Sequence, residues 1–276
     1  QVAALSGARQ ALVLGGGLVG FKAAYGLLRR GLKVTMLITS GYPLSLQVDE
    51  PAGKLILDQL LHHGLDVRVG VSVTAFEGKG AVAVAYTDSG ETLPCDLVII
   101  GKGVLPALDF VPRELIEVDL GIVVDGYMQS SAAGIYAAGD AAETVDIARQ
   151  RPWVNAIWPE AAAQGRVAGF NMAGRPVAYP GSLSRNVMRI FDLDLMTLGY
   201  ATPENPSAYR IFRSEDKRQQ TYRSLVFDQE CLVGAVLINQ IEQGGILRGV
   251  IETRQPLSVP PSALMASGFN FARLWR

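Results

Sequence analysis

The chain has 276 residues, 49% of them hydrophobic, and a formal net charge of −1 at pH 7. At roughly 100–200 residues per domain that is enough for two domains with real cores and a third small unit. No basic block, acidic tail or apolar run of the ~18–20 residues needed to span a membrane occurs, and no signal peptide is visible, so nucleic acid and membrane are not expected partners and the expected compartment is the cytoplasm.

The segment 11–38, "ALVLGGGLVGFKAAYGLLRRGLKVTMLI", reads as strand, glycine loop, helix and strand. Apolar residues recur at helical spacing from Leu18 to Arg30, and Gly31 stands where such a helix is capped. The loop is Gly15-x-Gly17-x-x-Gly20. Gly15 permits the tight turn out of the strand, Gly17 lets a pyrophosphate approach the backbone, and Gly20 lets the helix pack closely. The helix start at Leu18 and Val19 offers free N–H groups and a partial positive charge to phosphates. A carboxylate binding the ribose 2′-hydroxyl of NAD is expected near Ile38, Thr39 and Ser40. Neither an acid nor an Arg stands there, so NAD and NADP are left open. The chain begins with Gln1 and enters this pattern about ten residues later, which suggests a processed or trimmed piece of a longer protein.

Asp49 is placed to N-cap a helix over 50–63 with Pro51 in its first turn, and "DVRVG" (66–70) is a third parallel strand. "VSVTAFE", "AVAVAYT" and "ETLPCD" alternate and are joined by glycine turns, the pattern of an antiparallel meander. "LVIIG" (97–101) returns to a buried strand. "GKGAVA" (78–83) resembles a nucleotide loop but opens no helix and is a hairpin turn. "GKGVLP" (101–106) follows a strand and runs into Pro106; its glycines are placed to line a ligand at the carboxyl end of the sheet.

Farther on, "GIVVD" (121–125) and "GIYAAGD" (134–140) read as strands, and 158–174 as a helix with Pro159 in its first turn and Gly174 after its end. "AYRIFR", "YRSLVFD" and "LVGAVLIN" are β-like, with a turn at 228–230, and 241–254 fits a helix covering that sheet. "SEDKRQQ" (214–220) reads as a solvated turn. His62 and His63 end the second helix and are expected to face solvent, since no third metal ligand is close in sequence. Cys95 and Cys231 lie in strand patterns, far apart, and are expected to be inert, with no disulfide and no metal site.

The glycine loop, the meander inserted in the nucleotide unit, "GIYAAGD" and "W-P-E-A-A-x-Q-G-R-x-A-G-x-N-M-A-G" together resemble the FAD-dependent pyridine nucleotide-disulfide oxidoreductases, nearest the NADH oxidase, rubredoxin reductase and nitrite reductase large-subunit branch. The resemblance covers residues 8–178 strongly and the last hundred more weakly. It implies an α/β protein: a Rossmann-like NAD(P)-binding domain with a three-stranded meander at 8–118, the C-terminal part of an FAD-binding domain at 119–178, and a small α+β interface-type domain at 179–276. It implies FAD and NAD(P)H as cofactors. Gly15, Gly17, Leu18, Val19, Gly20, Lys22 and Thr39 would lie at the nicotinamide nucleotide, with Gly101 and Gly103 flanking the nicotinamide. Gly139 and Asp140 would touch FAD, Asp140 through a ribityl hydroxyl, and Ile157, Trp158 and the helix start behind them would lie at the flavin ring. The first glycine loop of the family, which carries the FAD pyrophosphate, has no counterpart in this sequence. Two positions depart from the family pattern: Lys22 stands where Glu is frequent, and "G-V-R-P-N" is Gly103-Val104-Leu105-Pro106-Ala107.

The implied reaction is hydride transfer from NAD(P)H to FAD and onward to an acceptor: oxygen, a disulfide or a small redox protein. A homodimer is the expected assembly. An isolated nucleotide-binding module without flavin or turnover is the alternative. A flavin-free dehydrogenase is disfavoured by the lack of a Tyr-x-x-x-Lys pair or catalytic His near the loop.

Overall fold

Apolar runs make the largely buried β1 (Gln10–Leu14) and β2 (Lys33–Ile38) and the half-buried β7 (Leu97–Ile100), and with the more polar, half-buried β3 (Asp66–Val69) they pair in parallel in the order β3-β2-β1-β7. The computed structural model describes residues 7–266 with Phe269 and Leu274; the remaining positions at the end of the expected 179–276 domain lie outside the described residues. Two compact units emerge: Val104 and all before it, with Arg189–Leu193, and then Leu105–Met188 with Asp194 onward.

In the first unit, α1 (Leu18–Leu28) turns Phe21, Ala24 and Leu27 inward, and α2 (Glu50–His62) buries Ala52, Ile56 and Leu60 at i, i+4 and i+8. Asp49 has the extended backbone of an N-cap, but its side chain makes no capping hydrogen bond. The meander forms as expected from β4 (Val73–Glu77), β5 (Val84–Thr87) and β6 (Thr92–Pro94). It buries Ala85, Leu93 and Cys95 against Leu12, Leu14 and Leu37 of the parallel sheet.

In the second unit, β8 (Ile122–Val123) is shorter than expected and pairs in parallel with β9 (Ala142–Asp146), which pairs antiparallel with β10 (Arg151–Trp153). The expected strand over 134–140 is not formed. Among the described residues a single bridge, Gln129 with Tyr136, is the sheet-like link of Ile135–Ala138, made by Ser130 donating to the Ile135 carbonyl at 2.8 Å and Ala137 to the Met128 carbonyl at 3.1 Å. Among the described residues no strand lies beside it, and the Tyr136 and Ala138 amides meet no acceptor. The helix α3 (Trp158–Met172) follows as expected. The last sheet has the order β11-β12-β15-β14-β13, formed by β11 (Arg185–Ile190), β12 (Leu193–Gly199), β13 (Arg210–Asp216), β14 (Thr221–Asp228) and β15 (Cys231–Ile238). Here α4 (Gly244–Thr253) covers the sheet with Leu247, Val250 and Ile251, as its apolar spacing requires. β13 runs through Ser214-Glu215-Asp216, so the first three residues of the expected solvated turn belong to an edge strand.

His63 departs from its expected solvent position. Its ring stacks on Phe191 at 4.2 Å with 4° between planes, and its Nε2 lies 2.9 Å from an Asp192 carboxylate oxygen. Tyr25 meets the same Phe191 edge-on at 5.1 Å. Burial, and then the nearby Asp96, pushes the Cys95 thiol up, and Cys231 donates to the Arg254 carbonyl at 3.1 Å. No helix among the described residues is long and apolar enough to cross a membrane.

Candidate nucleotide sites

The glycine loop of the first unit is closed by the strands around it. Gly15 donates to the Leu37 carbonyl at 2.8 Å, Gly101 to Leu14 at 2.8 Å, and Leu44 to Gly16 at 2.9 Å. Gly15 has φ +107°, and a Cβ there would lie 2.4 Å from the Gly101 carbonyl oxygen. A Cβ on Gly20 would meet the Gly15 carbonyl oxygen at 2.1 Å. One on Gly101 would meet the Gly20 nitrogen at 2.8 Å. The expected roles of Gly15 and Gly20 are thus explained sterically, and Gly101 acquires one that the sequence did not reveal: it lets β7 touch the loop. Gly17 is different, its Cβ position meeting only the Gly101 oxygen at 4.0 Å, which leaves room on the loop's outer side.

Behind the loop, Leu18, Val19 and Gly20 open α1, so their amides have no intrahelical acceptor, and no acidic residue lies in that first turn. Backbone donors and the positive end of a helix converge where glycines admit a large group. That donor set fits a pyrophosphate. Lys22 is exposed on the same helix and makes no ion pair among the described residues. Thr39 is exposed just past β2, while Gly103, with φ +97°, has open space around its Cβ position.

The second cluster lies in the second unit. Gly139 has φ +77° and opens a single 3-10 turn, Gly139–Ala141, that presents Asp140 to solvent. The Asp140 carboxylate has no hydrogen-bond or ion-pair partner among the described residues. Sequence reasoning missed what holds this turn: the Gly139 amide donates to Gln164 Oε1 at 2.7 Å, from the buried face of α3. The "A-x-Q-G" within the quoted helix pattern was the available signal. At the start of α3, Ile157 is the extended N-cap and the Trp158 ring is 83% exposed. Towards a flavin this cluster offers a carboxylate, a glycine turn and the positive end of a helix, which suits negative charge on a ring. A glycine-loop phosphate cradle is not among the described residues of this unit.

Glu160, in the first turn of α3, is buried by Arg185 and Tyr179, both of which donate to its carboxylate. Burial first, and then this carboxylate, pushes the Tyr179 hydroxyl well above the usual phenol range. The three line a cleft of about 960 Å³, together with Arg166, Arg248 and Arg254. Nearby, the buried Asp146 accepts from the Arg149 guanidinium at 3.0 Å and from Asn155 at 2.7 Å. The same guanidinium lies over the Trp153 and Tyr200 rings, at 4.7 and 4.5 Å. Among the described residues no group of three or more His, Cys, Asp or Glu side chains is arranged to hold a metal ion.

Residues 2–165 match the family described as pyridine nucleotide-disulphide oxidoreductase, and residues 185–255 match the one described as rubredoxin NAD+ reductase C-terminal domain. The epsilon subunit of NADH-dependent phenylglyoxylate dehydrogenase from Aromatoleum evansii is 31% identical over 98% of this chain and 64% of its own length. The NADH-rubredoxin oxidoreductase of Clostridium acetobutylicum is 26% identical over 88% of this chain and 58% of its own. Among solved structures, a ferredoxin reductase from Rhodopseudomonas palustris has a TM-score of 0.84 at 20% identity, covering 98% of this chain and 66% of that one. This last likeness speaks for the fold. The chain therefore spans about three-fifths of the length of these two curated relatives.

Proposed function

Because this chain belongs to the pyridine nucleotide-disulphide oxidoreductase family, we propose that it is the nicotinamide-nucleotide half, with part of the flavin half, of an FAD-dependent NAD(P)H oxidoreductase. The observation that carries this reading is the glycine cradle of the first unit, where a Cβ on Gly15 or Gly20 would strike backbone oxygen and where free amides open α1. In this reading Gly15, Gly17, Leu18, Val19 and Gly20 hold the pyrophosphate, Lys22 and Thr39 border the nucleotide, and Gly101 and Gly103 flank the nicotinamide. Asp140 would accept from a ribityl hydroxyl, Gly139 would let the backbone approach, and Ile157 and Trp158 would set the positive end of α3 towards the ring. FAD, when bound, would supply the redox chemistry, hydride acceptance from NAD(P)H and electron release to an acceptor. No side chain of this chain need donate or remove a proton in the hydride step; the residues position and polarise. Among acceptors, a small redox protein is supported by the match of residues 185–255 to a rubredoxin reductase domain.

A second reading, a nucleotide-binding module without flavin, is favoured by one observation: the extended segment Ile135–Ala138 leaves the Tyr136 and Ala138 amides without acceptors. Absorption spectroscopy separates the two. The purified chain is mixed with FAD, desalted, and titrated anaerobically with NADH or NADPH. Retained flavin bands that bleach with nucleotide are the expected result for a working hydride path. No retained flavin, with nucleotide binding intact by calorimetry, leaves the module reading. Failure to bind either nucleotide overturns both.

A further inference from the structure

The β13–β14 end of the last sheet encloses a charge that neither nucleotide site uses. Arg223 on β14 is only 7% exposed. Its guanidinium donates to two neutral acceptors, the Leu264 carbonyl at 2.6 Å and Gln243 Oε1 at 2.7 Å, and pairs with no carboxylate among the described residues. Burial, unopposed by any nearby acid, pulls the group below its usual value. Arginine nevertheless stays protonated, and neutral acceptors leave a desolvated charge uncompensated. The same side chain lines a polar cleft of about 500 Å³. Ser214 stands directly opposite Arg223 across β13 and β14, so the two share a face. Lys217 and Arg218 border the cleft from the exposed turn and make no ion pair among the described residues. Two carboxylates border it as well: Glu215 is exposed, and Asp216 accepts from the Arg218 and Gln219 amides at 2.9 and 3.2 Å. Three cations therefore face two anions, and the buried one among them is the guanidinium. On the far wall Asn239 and Gln240 hold φ values of 49° and 57°, successive left-handed residues of the kind that cluster at binding sites.

We propose that this cleft binds a small oxyanion, a carboxylate or phosphate group seated on Arg223, with Ser214 beside it and Lys217 and Arg218 on its outer side. The guanidinium fork offers paired N–H donors that match two oxygens of either group, and such charge-assisted bonds are roughly twice as strong as neutral ones. Arg223 is buried by the fold itself, so an arriving anion supplies the counter-charge, and binding and stability rise together. A cleft of this volume admits a small organic anion as well as an inorganic one. The site lies within the second unit and stands independently of the nucleotide reading.

The test is calorimetric titration of the chain with sodium phosphate and with sodium succinate, at an ionic strength fixed with sodium chloride, alongside melting temperatures. The expected result is saturable binding of at least one probe with a dissociation constant of about 1 mM or tighter, and a melting temperature that rises with it. Binding of phosphate alone, of succinate alone or of both supports the proposal and says which oxyanion the site takes. Arg223→Met should weaken the bound probe by about tenfold or more, since a charged hydrogen-bonding partner is lost. Arg223→Lys keeps the charge but not the fork, should weaken it by a smaller factor, and takes the place of Arg223→Met if that variant does not fold. Lys217→Ala with Arg218→Ala, both on the exposed turn, should weaken it by about twofold to fivefold. Neither probe binding saturably to the natural chain, or binding that the Arg223 substitution leaves unchanged, overturns the proposal.

Discussion

The loop at 15–20 and the segment at 134–140 are both glycine-bearing stretches poised beside a helix start, yet their backbones are satisfied very differently. Around the loop, Gly15, Leu44 and Gly101 all donate to carbonyls of the same unit, and parallel strands lie on both sides of β1. Around the segment, one bridge ties Tyr136 to Gln129, and the Tyr136 and Ala138 amides stay open among the described residues. Buried or sheet-like backbone without partners costs free energy, so an open stretch of this kind depends on whatever completes it. On the proposed reading, the first unit binds its nucleotide with its own atoms. The second holds its carboxylate and helix start ready through Gln164 and the Glu160 cluster, which orient side chains without supplying a phosphate cradle.

The largest way to break this contrast lies in the second unit. Glu160→Ala leaves the buried Tyr179 and the part-buried Arg185 without their shared acceptor, a loss expected to cost about 3 kcal/mol. Scanning calorimetry should show the transition of the second unit fall while nucleotide binding to the first persists. Equal loss in both would mean that the cluster does not serve its own unit alone. Next comes Gly20→Ala, whose added methyl meets the Gly15 carbonyl oxygen. Overpacking of this kind costs about 1–3 kcal/mol, and NADH titration should detect no binding even where the variant remains folded. Retained affinity would show that the close approach is dispensable.

The smallest effect is electrostatic and belongs to the first unit. Burial alone would raise the Asp66 carboxyl, but hydrogen bonds from Arg68 and Thr35 outweigh it and hold the group below the usual carboxylate range. A depressed carboxyl stabilises the fold above its unfolded value of about 4 and loses that contribution as the pH falls through the folded value. Melting temperatures of the natural chain should therefore decline more steeply below pH 4 than those of Asp66→Asn, by an amount worth a few tenths of a kcal/mol at this exposed site. Parallel curves would remove Asp66 from the acid response.

What the sequence made legible follows the same division. A parallel strand buried on both faces writes itself as an unbroken apolar run, and the glycine loop has little steric freedom to vary, so β1, α1, β2 and the meander stand near their expected places. The β9–β10 hairpin was not legible because its inward residues are polar: Glu143 accepts from the Gly121 amide and Asp146 from Arg149 and Asn155, partners that reverse the usual alternation. Ile135–Ala138 has the composition of a strand, but strand formation needs a neighbour, which composition does not report. His63 looked solvent-facing because its contact, Phe191, lies far along the chain and enters with a positive φ of 51°. β11 and β12 carry no clear strand signal in the sequence, with charges such as Arg185 and Arg189 obscuring the apolar face of β11.

The solvent-facing indole at the start of α3 has an optical consequence. Trp153 lies beneath the Arg149 and Arg151 guanidinium groups, whereas Trp158 stands in water. A tryptophan in water emits at long wavelength, and its excitation passes efficiently to an isoalloxazine laid against it. Arrival of a flavin at this helix start would therefore dim Trp158 emission, so occupancy can be followed by the protein's own fluorescence, without label or turnover.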